Sequence, residues 1–157
     1  MNVRRSTAAA AVALGLPALS LGLSGCGFDA PTDQAYNPAA GVNVQEGEVD
    51  VLNAIIVSGE DGTGTVVVTL ANNNQDADDA LAGVTGEGVQ AEVGGDTVIP
   101  AHGILVIDDG LLSVTGESVV PGAFVPLTFE FDRARSLSLD VPVVASDEPP
   151  YDEVPVS

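Results

Sequence analysis

Cys26 carries the only thiol of this chain and His102 the only imidazole, so chemistry built on sulfur or on a histidine base has one address each. The other reactive groups are carboxylates. Asp76-Ala77-Asp78-Asp79 and Asp108-Asp109 offer hard oxygen ligands of the kind Ca²⁺ takes, but the first cluster lacks the glycine and the terminal glutamate that a calcium loop places at fixed spacing. A nucleophilic triad would have to recruit His102, and no Gly-x-Ser-x-Gly elbow supplies its serine. Gly86-Glu87-Gly88-Val89-Gln90-Ala91 has the glycine spacing of a dinucleotide loop. That loop works only between a strand and a helix N-terminus; here Val89 to Val93 is strand-like and Glu87 would repel phosphate, so the segment reads as a tight glycine turn. No catalytic residue and no cofactor is expected. A metal would have to be held by His102, Asp76, Asp78 and Asp79, which read first as solvated loop residues.

The position of Cys26 says more than its reactivity. It ends Leu23-Ser24-Gly25-Cys26, behind the positive Arg4-Arg5 pair and an apolar stretch from Ala8 to Leu21 interrupted by Gly15, Pro17 and Ser20. This layout resembles a bacterial lipoprotein signal peptide, in which the cysteine thiol is alkylated by a diacylglyceryl group and becomes the first residue after cleavage. Two acyl chains anchor stably, because each buried CH₂ contributes about 0.8 kcal/mol and one chain alone holds marginally. The apolar run is too short and too interrupted for a membrane-spanning helix. The expected location is the extracytoplasmic face of the cell membrane.

Charge narrows the partners. The chain has 4 Lys plus Arg against 23 Asp plus Glu, a net charge of −19. Cleavage before Cys26 removes Arg4 and Arg5 and takes the charge to −21, leaving Arg133 and Arg135 as the only side chains of fixed positive charge. Nucleic acid is excluded, since phosphate binding needs clustered Lys and Arg. Solubility accounts for much of this charge, and a cationic partner or an unidentified envelope protein fits it as well. With one cysteine, committed to lipid, no disulfide staples the fold, and a hydrophobic core must hold it.

The elements that must position these residues are strands. Val49 to Val57 and Thr65 to Leu70 flank the turn Gly59-Glu60-Asp61-Gly62, and Asn72-Asn73-Asn74 ends the second. Shorter strands are expected at Leu81 to Thr85, Gln90 to Val93, Ile104 to Ile107 and Leu111 to Val114. In Val125-Pro126-Leu127-Thr128-Phe129-Glu130-Phe131 and in Leu137-Ser138-Leu139-Asp140-Val141 apolar residues alternate with polar ones, so each strand buries one face. The intervening Asp132 to Ser136 closes a hairpin that would bring Phe131 near Leu137 and Phe129 near Leu139. Pro126 and Pro142 should sit where no ladder donor is needed. Short strands at close intervals without helical spacers predict an all-β, antiparallel β-sandwich. The organisation expected is a signal peptide over 1–25, the lipidated Cys and a flexible tether over 26–41, the sandwich over 42–144, and an acidic, proline-rich, disordered tail over 145–157.

Asp79-Ala80-Leu81-Ala82-Gly83-Val84-Thr85 after the asparagine-rich turn, Ile99-Pro100-Ala101-His102-Gly103, and Val125 to Phe131 follow one another in an order that resembles the PCu(A)C periplasmic copper chaperones. The chain more closely resembles the LpqE-like lipoproteins of actinobacteria, which share the lipidation signal and the tether and look like relatives of that fold. The resemblance covers about residues 48 to 144 and implies a cupredoxin-like sandwich. It does not carry the copper site over. That family binds Cu(I) with methionine and histidine, soft and borderline donors suited to the ion. Here Met1 is the sole methionine, and Leu111, Leu112 and Ser113 stand where the family has His-x-Met. The resemblance thus implies a lipid-anchored envelope protein that binds or scaffolds without catalysis, or alternatively one that handles metal with changed ligands.

Overall fold

The computed structural model describes residues 40–59, 62–147 and 149–156. The segment expected to be signal peptide, with Leu23, Ser24, Gly25 and Cys26, lies outside the described residues, as does nearly all of the tether.

Among the described residues the regular elements are ten strands: β1 (Val42–Val44), β2 (Val49–Ser58), β3 (Thr63–Asn72), β4 (Asp79–Gly86), β5 (Gln90–Val93), β6 (Val98–Ile99), β7 (Ile104–Ile107), β8 (Leu112–Thr115), β9 (Phe124–Phe131) and β10 (Leu137–Ala145). The fold is all-β. The longer strands are where β-branched residues recur with period two, as in Thr63-Gly64-Thr65-Val66-Val67-Val68-Thr69-Leu70 of β3. β1 and β6 fall outside the expected strands because three and two residues are too short to show a period.

Hydrogen bonding runs without a break along β5-β8-β3-β2-β10-β9-β4-β6, with β1 added to β2 and β7 to β3. The path curls into two layers because β10 changes partners along its length. Leu137 to Pro142 pair antiparallel with β9, and Val143 to Ala145 pair parallel with β2. Pro142 sits at the exchange, and Pro126 lies one residue beyond the last β4–β9 pair, Gly86↔Leu127. Both prolines therefore stand where a strand loses a neighbour and its ladder has least use for an N–H. All pairings are antiparallel except β2–β10, which joins strands far apart in sequence and so needs no crossover helix.

On its other edge β2 meets β1 through Val51 and Ala54 and then β10 from Ile56 onward. The change coincides with a bulge at Asn53, whose φ is +52° and whose N–H donates to Asn43 Oδ1 at 2.7 Å. The interior is one apolar cluster drawn from both layers: Val49, Val51 and Ile56 of β2, Val66, Val68 and Leu70 of β3, Leu112 and Val114 of β8, and Val125, Leu127, Phe129 and Val141 of β9 and β10. Gly64 belongs to this close packing; a Cβ there would lie 2.6 Å from Ile56 Cγ2.

The β9–β10 hairpin differs in register from the expected one. Phe129 pairs with Leu137 and Leu127 with Leu139, and Phe131 pairs with Leu81 of β4 instead. The same faces are buried, because a slip of two residues preserves the side-chain period. The turn is longer than its polar residues suggest, and β9 runs past it to reach β4.

Candidate functional site

Most of the residues singled out for their chemistry gather at one end of the sandwich, in the loop between β3 and β4, the turn between β6 and β7, and the turn between β9 and β10. Asn72 is the organiser. It continues the inward phase of Val66, Val68 and Leu70, so its amide is delivered to the core face, 3% exposed. A buried amide must be satisfied. Its Nδ2 donates to the carbonyls of Ala77 at 3.0 Å and Ile99 at 3.2 Å, and its Oδ1 accepts from the N–H of Asn74 at 2.9 Å. Asn74 then folds the loop by accepting from the N–H groups of Asp76 and Ala77.

Each acid of the first cluster has a distinct place. Asp76 is exposed. Asp78 Oδ1 accepts from the N–H of Ala101 at 2.8 Å, pinning the turn that carries His102. Asp79, 7% exposed, accepts from the N–H groups of Ala80 at 2.8 Å and Arg133 at 3.0 Å on Oδ1, and from Ala134 at 2.8 Å on Oδ2. These bonds tie β4 to the β9–β10 turn. A carboxylate saturated by backbone donors is a structural acceptor, with little of its lone-pair capacity left for a cation.

His102 occupies the third position of Pro100-Ala101-His102-Gly103, closed by the Gly103 N–H donating to Pro100 O at 2.9 Å. Its φ of +52° is what a type II turn requires there and what glycine or asparagine more often supplies. Its backbone N–H donates to Asn74 O at 2.7 Å and its side chain is exposed, so the turn makes structural use of the backbone alone. The cavity enclosed by Glu48, Asn72, Asn74, Ala77, Asp78, Asp79 and Arg133 measures about 10 Å³, room for one water at most. Among the described residues no three His, Cys, Asp or Glu side chains converge in a geometry that could hold a metal ion. The end as a whole binds its own backbone. Asn72 reads in the sequence as part of a strand-ending turn; what marks it otherwise is that it stands on the inward phase of β3.

The remaining candidates lie apart from this end. Asp108 and Asp109 are exposed in the β7–β8 turn. Gly86-Glu87-Gly88-Val89 is a two-residue hairpin turn, with Gly88 at φ +74° and Gly86 bridged to Val89, and strand β5 follows where a nucleotide loop needs a helix. Leu112 is fully buried in the core, while Ser113 is half-buried on the opposite face of β8, paired with Thr65 and Glu92. Arg135 donates to the backbone carbonyl of Glu46 and lies 3.4 Å from its carboxylate, an exposed pair.

No protein-family model matches the chain, and no curated protein matches it. Solved structures do. A copper-bound PCuAC domain from PmoF2 superposes with a TM-score of 0.55 at 18% identity, covering 66% of this chain and 98% of its own. An apo PCuAC domain from PmoF1 gives 0.58 at 19% identity, covering 66% and 99%, and the apo PmoF2 domain gives 0.53 at 18%, covering 68% and 98%. At such identities the likeness establishes the fold, a cupredoxin-type sandwich, as the resemblance of the three sequence segments implies.

Proposed function

We propose that this chain is a lipid-anchored, non-catalytic binding protein of the cell envelope that uses the PCuAC-type sandwich as a scaffold. The observation that carries this reading is the shortage of soft ligands: Met1 is the sole methionine and Cys26 the sole cysteine, while Leu111, Leu112 and Ser113, which the resemblance sets against the family's His-x-Met, offer none, and Leu112 is buried in the core. Neither leucine nor serine holds Cu(I). The Leu23-Ser24-Gly25-Cys26 signal supports attachment to the extracytoplasmic face through acyl chains, in the manner of the LpqE-like lipoproteins. The partners proposed are the membrane, through Cys26, and an envelope protein or cationic molecule suited to a strongly acidic surface.

One observation favours a second reading, extracytoplasmic metal handling: the likeness extends to a domain described as copper-bound. A Cu(I) titration in competition with a strong chelator separates the two. The first reading expects the chelator to keep the metal; stoichiometric Cu(I) retained by the protein establishes the second.

A further inference from the structure

β7 is an edge strand. It pairs with β3 through Val68↔Ile107, Thr69↔Val106, Leu70↔Leu105 and Ala71↔Ile104, and among the described residues no strand pairs with its other side. The phase of this ladder follows from the next pair along, where the Asn72 N–H donates to Gly103 O at 2.9 Å. Bonded and non-bonded pairs alternate in an antiparallel ladder, so Gly103, Leu105 and Ile107 turn their N–H and C=O groups toward β3. Ile104 and Val106 turn theirs the other way, onto the free edge.

Proteins shield such edges with charge, proline or a bulge. β5, at one end of the hydrogen-bonded path, carries exposed Glu92. β7 has no such guard. It reads Ile-Leu-Val-Ile; Leu105 and Ile107 pack into the interior, while Ile104 is 61% and Val106 48% exposed. On the outward face Val106 stands beside Thr69 and Leu52, and Ile104 beside Ala71 and Asp50. The residues with free backbone groups are thus the ones with exposed apolar side chains.

We propose that β7 pairs antiparallel with β7 of a second copy of this chain, joining two sandwiches in a two-fold dimer. What selects the second copy is that this edge is its own complement. With Leu105 on the two-fold axis, Ile104 of each copy falls opposite Val106 of the other, and the outward N–H and C=O groups of both residues are paired. A slip of two residues either way sets Val106 against His102 in its turn, or Ile104 against Asp108 beyond the strand. The centred register instead brings exposed Asp108 across from exposed His102 of the second copy, so the one imidazole of each chain meets an acid. Ile104 and Val106 of the two copies then adjoin on one face as cross-strand apolar pairs. The net charge of −19 on each chain opposes this contact, and salt screens the opposition, so the dimer forms as ionic strength rises. The pairing does not depend on whether the protein handles metal.

The test is sedimentation equilibrium of the full chain with Cys26→Ser over a series of NaCl concentrations. The expected mass is the monomer's at low salt and moves toward the dimer's as salt rises. Val106→Pro removes an N–H that the domain itself leaves unpaired, so it should keep the parent's melting temperature and remain monomeric at high salt. Should that variant not fold, Ile104→Glu, which puts an acid on each edge, takes its place with the same expected outcome. Leu105→Cys in the Cys26→Ser background reads the register: non-bonded partners lie about 4.5 Å apart between Cα atoms, a span a disulfide bridges, so oxidation at high salt should give a covalent dimer. A chain that stays monomeric at every salt concentration overturns the proposal. So does association that survives Val106→Pro or Ile104→Glu, which belongs to another surface, or a Leu105→Cys chain that stays uncrosslinked on oxidation.

Discussion

The carboxylate of Asp79, at the start of β4, accepts the backbone N–H of Ala134, 55 residues later, at 2.8 Å. With the bond to Arg133 on its other oxygen, it holds the β9–β10 turn against β4 and thereby helps set where that hairpin closes. An acid that belongs to a potential cation cluster is thus part of the frame.

Asp79→Ala should destabilise the domain by about 2–4 kcal/mol, the loss expected when charge-assisted bonds are removed and buried donors are left without an acceptor. Asp76→Ala should change it by no more than about 0.5 kcal/mol, as usual for an exposed residue. Urea denaturation of the two variants side by side checks the contrast. Equal effects would mean that the carboxylate is not holding the turn.

Phe129 is fully buried and central to β9. Phe129→Ala should cost about 3–5 kcal/mol, whereas exposed Glu130, whose contact with Thr85 is a 3.3 Å surface bond, should be replaceable by Ala at little cost. Thermal melts report the difference, and similar shifts for both would refute the facing of this strand.

The register itself is open to a chemical test. Thr128 and Ser138 face each other across β9 and β10 with their hydroxyls 2.7 Å apart. In a Cys26→Ser background, cysteines at 128 and 138 should cross-link on oxidation, while cysteines at 128 and 140, opposite one another in the register expected from sequence, should not. Cross-linking efficiency that favours the second pair would overturn the hairpin described above.

His102→Gly should leave stability unchanged or raise it by up to about 1 kcal/mol, because relief of the left-handed conformation is partly offset by the greater unfolded-state freedom of glycine. His102→Val should lower it, since a β-branched side chain resists that φ. A marked loss of stability in His102→Gly would show that the imidazole holds a partner.

Charge supplies a last expectation. A net charge of −19 with no lysine repels itself, so salt should raise the melting temperature by screening. Millimolar Ca²⁺ should do no more than NaCl of matched ionic strength. A saturable Ca²⁺-specific shift that disappears in Asp78→Asn would instead locate a cation at the β3–β4 loop.

Much of the strand order was readable because it is local. Gln90–Val93 and Ile104–Ile107 end where turn residues end them, and Phe124–Phe131 follows its own alternation, which specifies a buried face without reference to any other part of the chain. The inward phase of β3 also reaches Asn72, but its place in the turn-like run Asn72-Asn73-Asn74 hides that in the sequence, and only the extension of the strand to Asn72 shows the amide buried. Alternation says which face a strand buries and nothing about which strand lies beside it. The two-residue offset of the last hairpin conserves every facing, so the choice depends on Asp79 and on the pairing of Phe131 with Leu81. The exchange of β9 for β2 along β10, and the burial of Ile55 and Val57 on an outward face, arise only when distant segments compete for the same surface. The acids show the same division: composition determined that the surface is negative, while the fold decided that Asp78 and Asp79 would bind backbone amides, because a loop that leaves donors buried must place an acceptor against them.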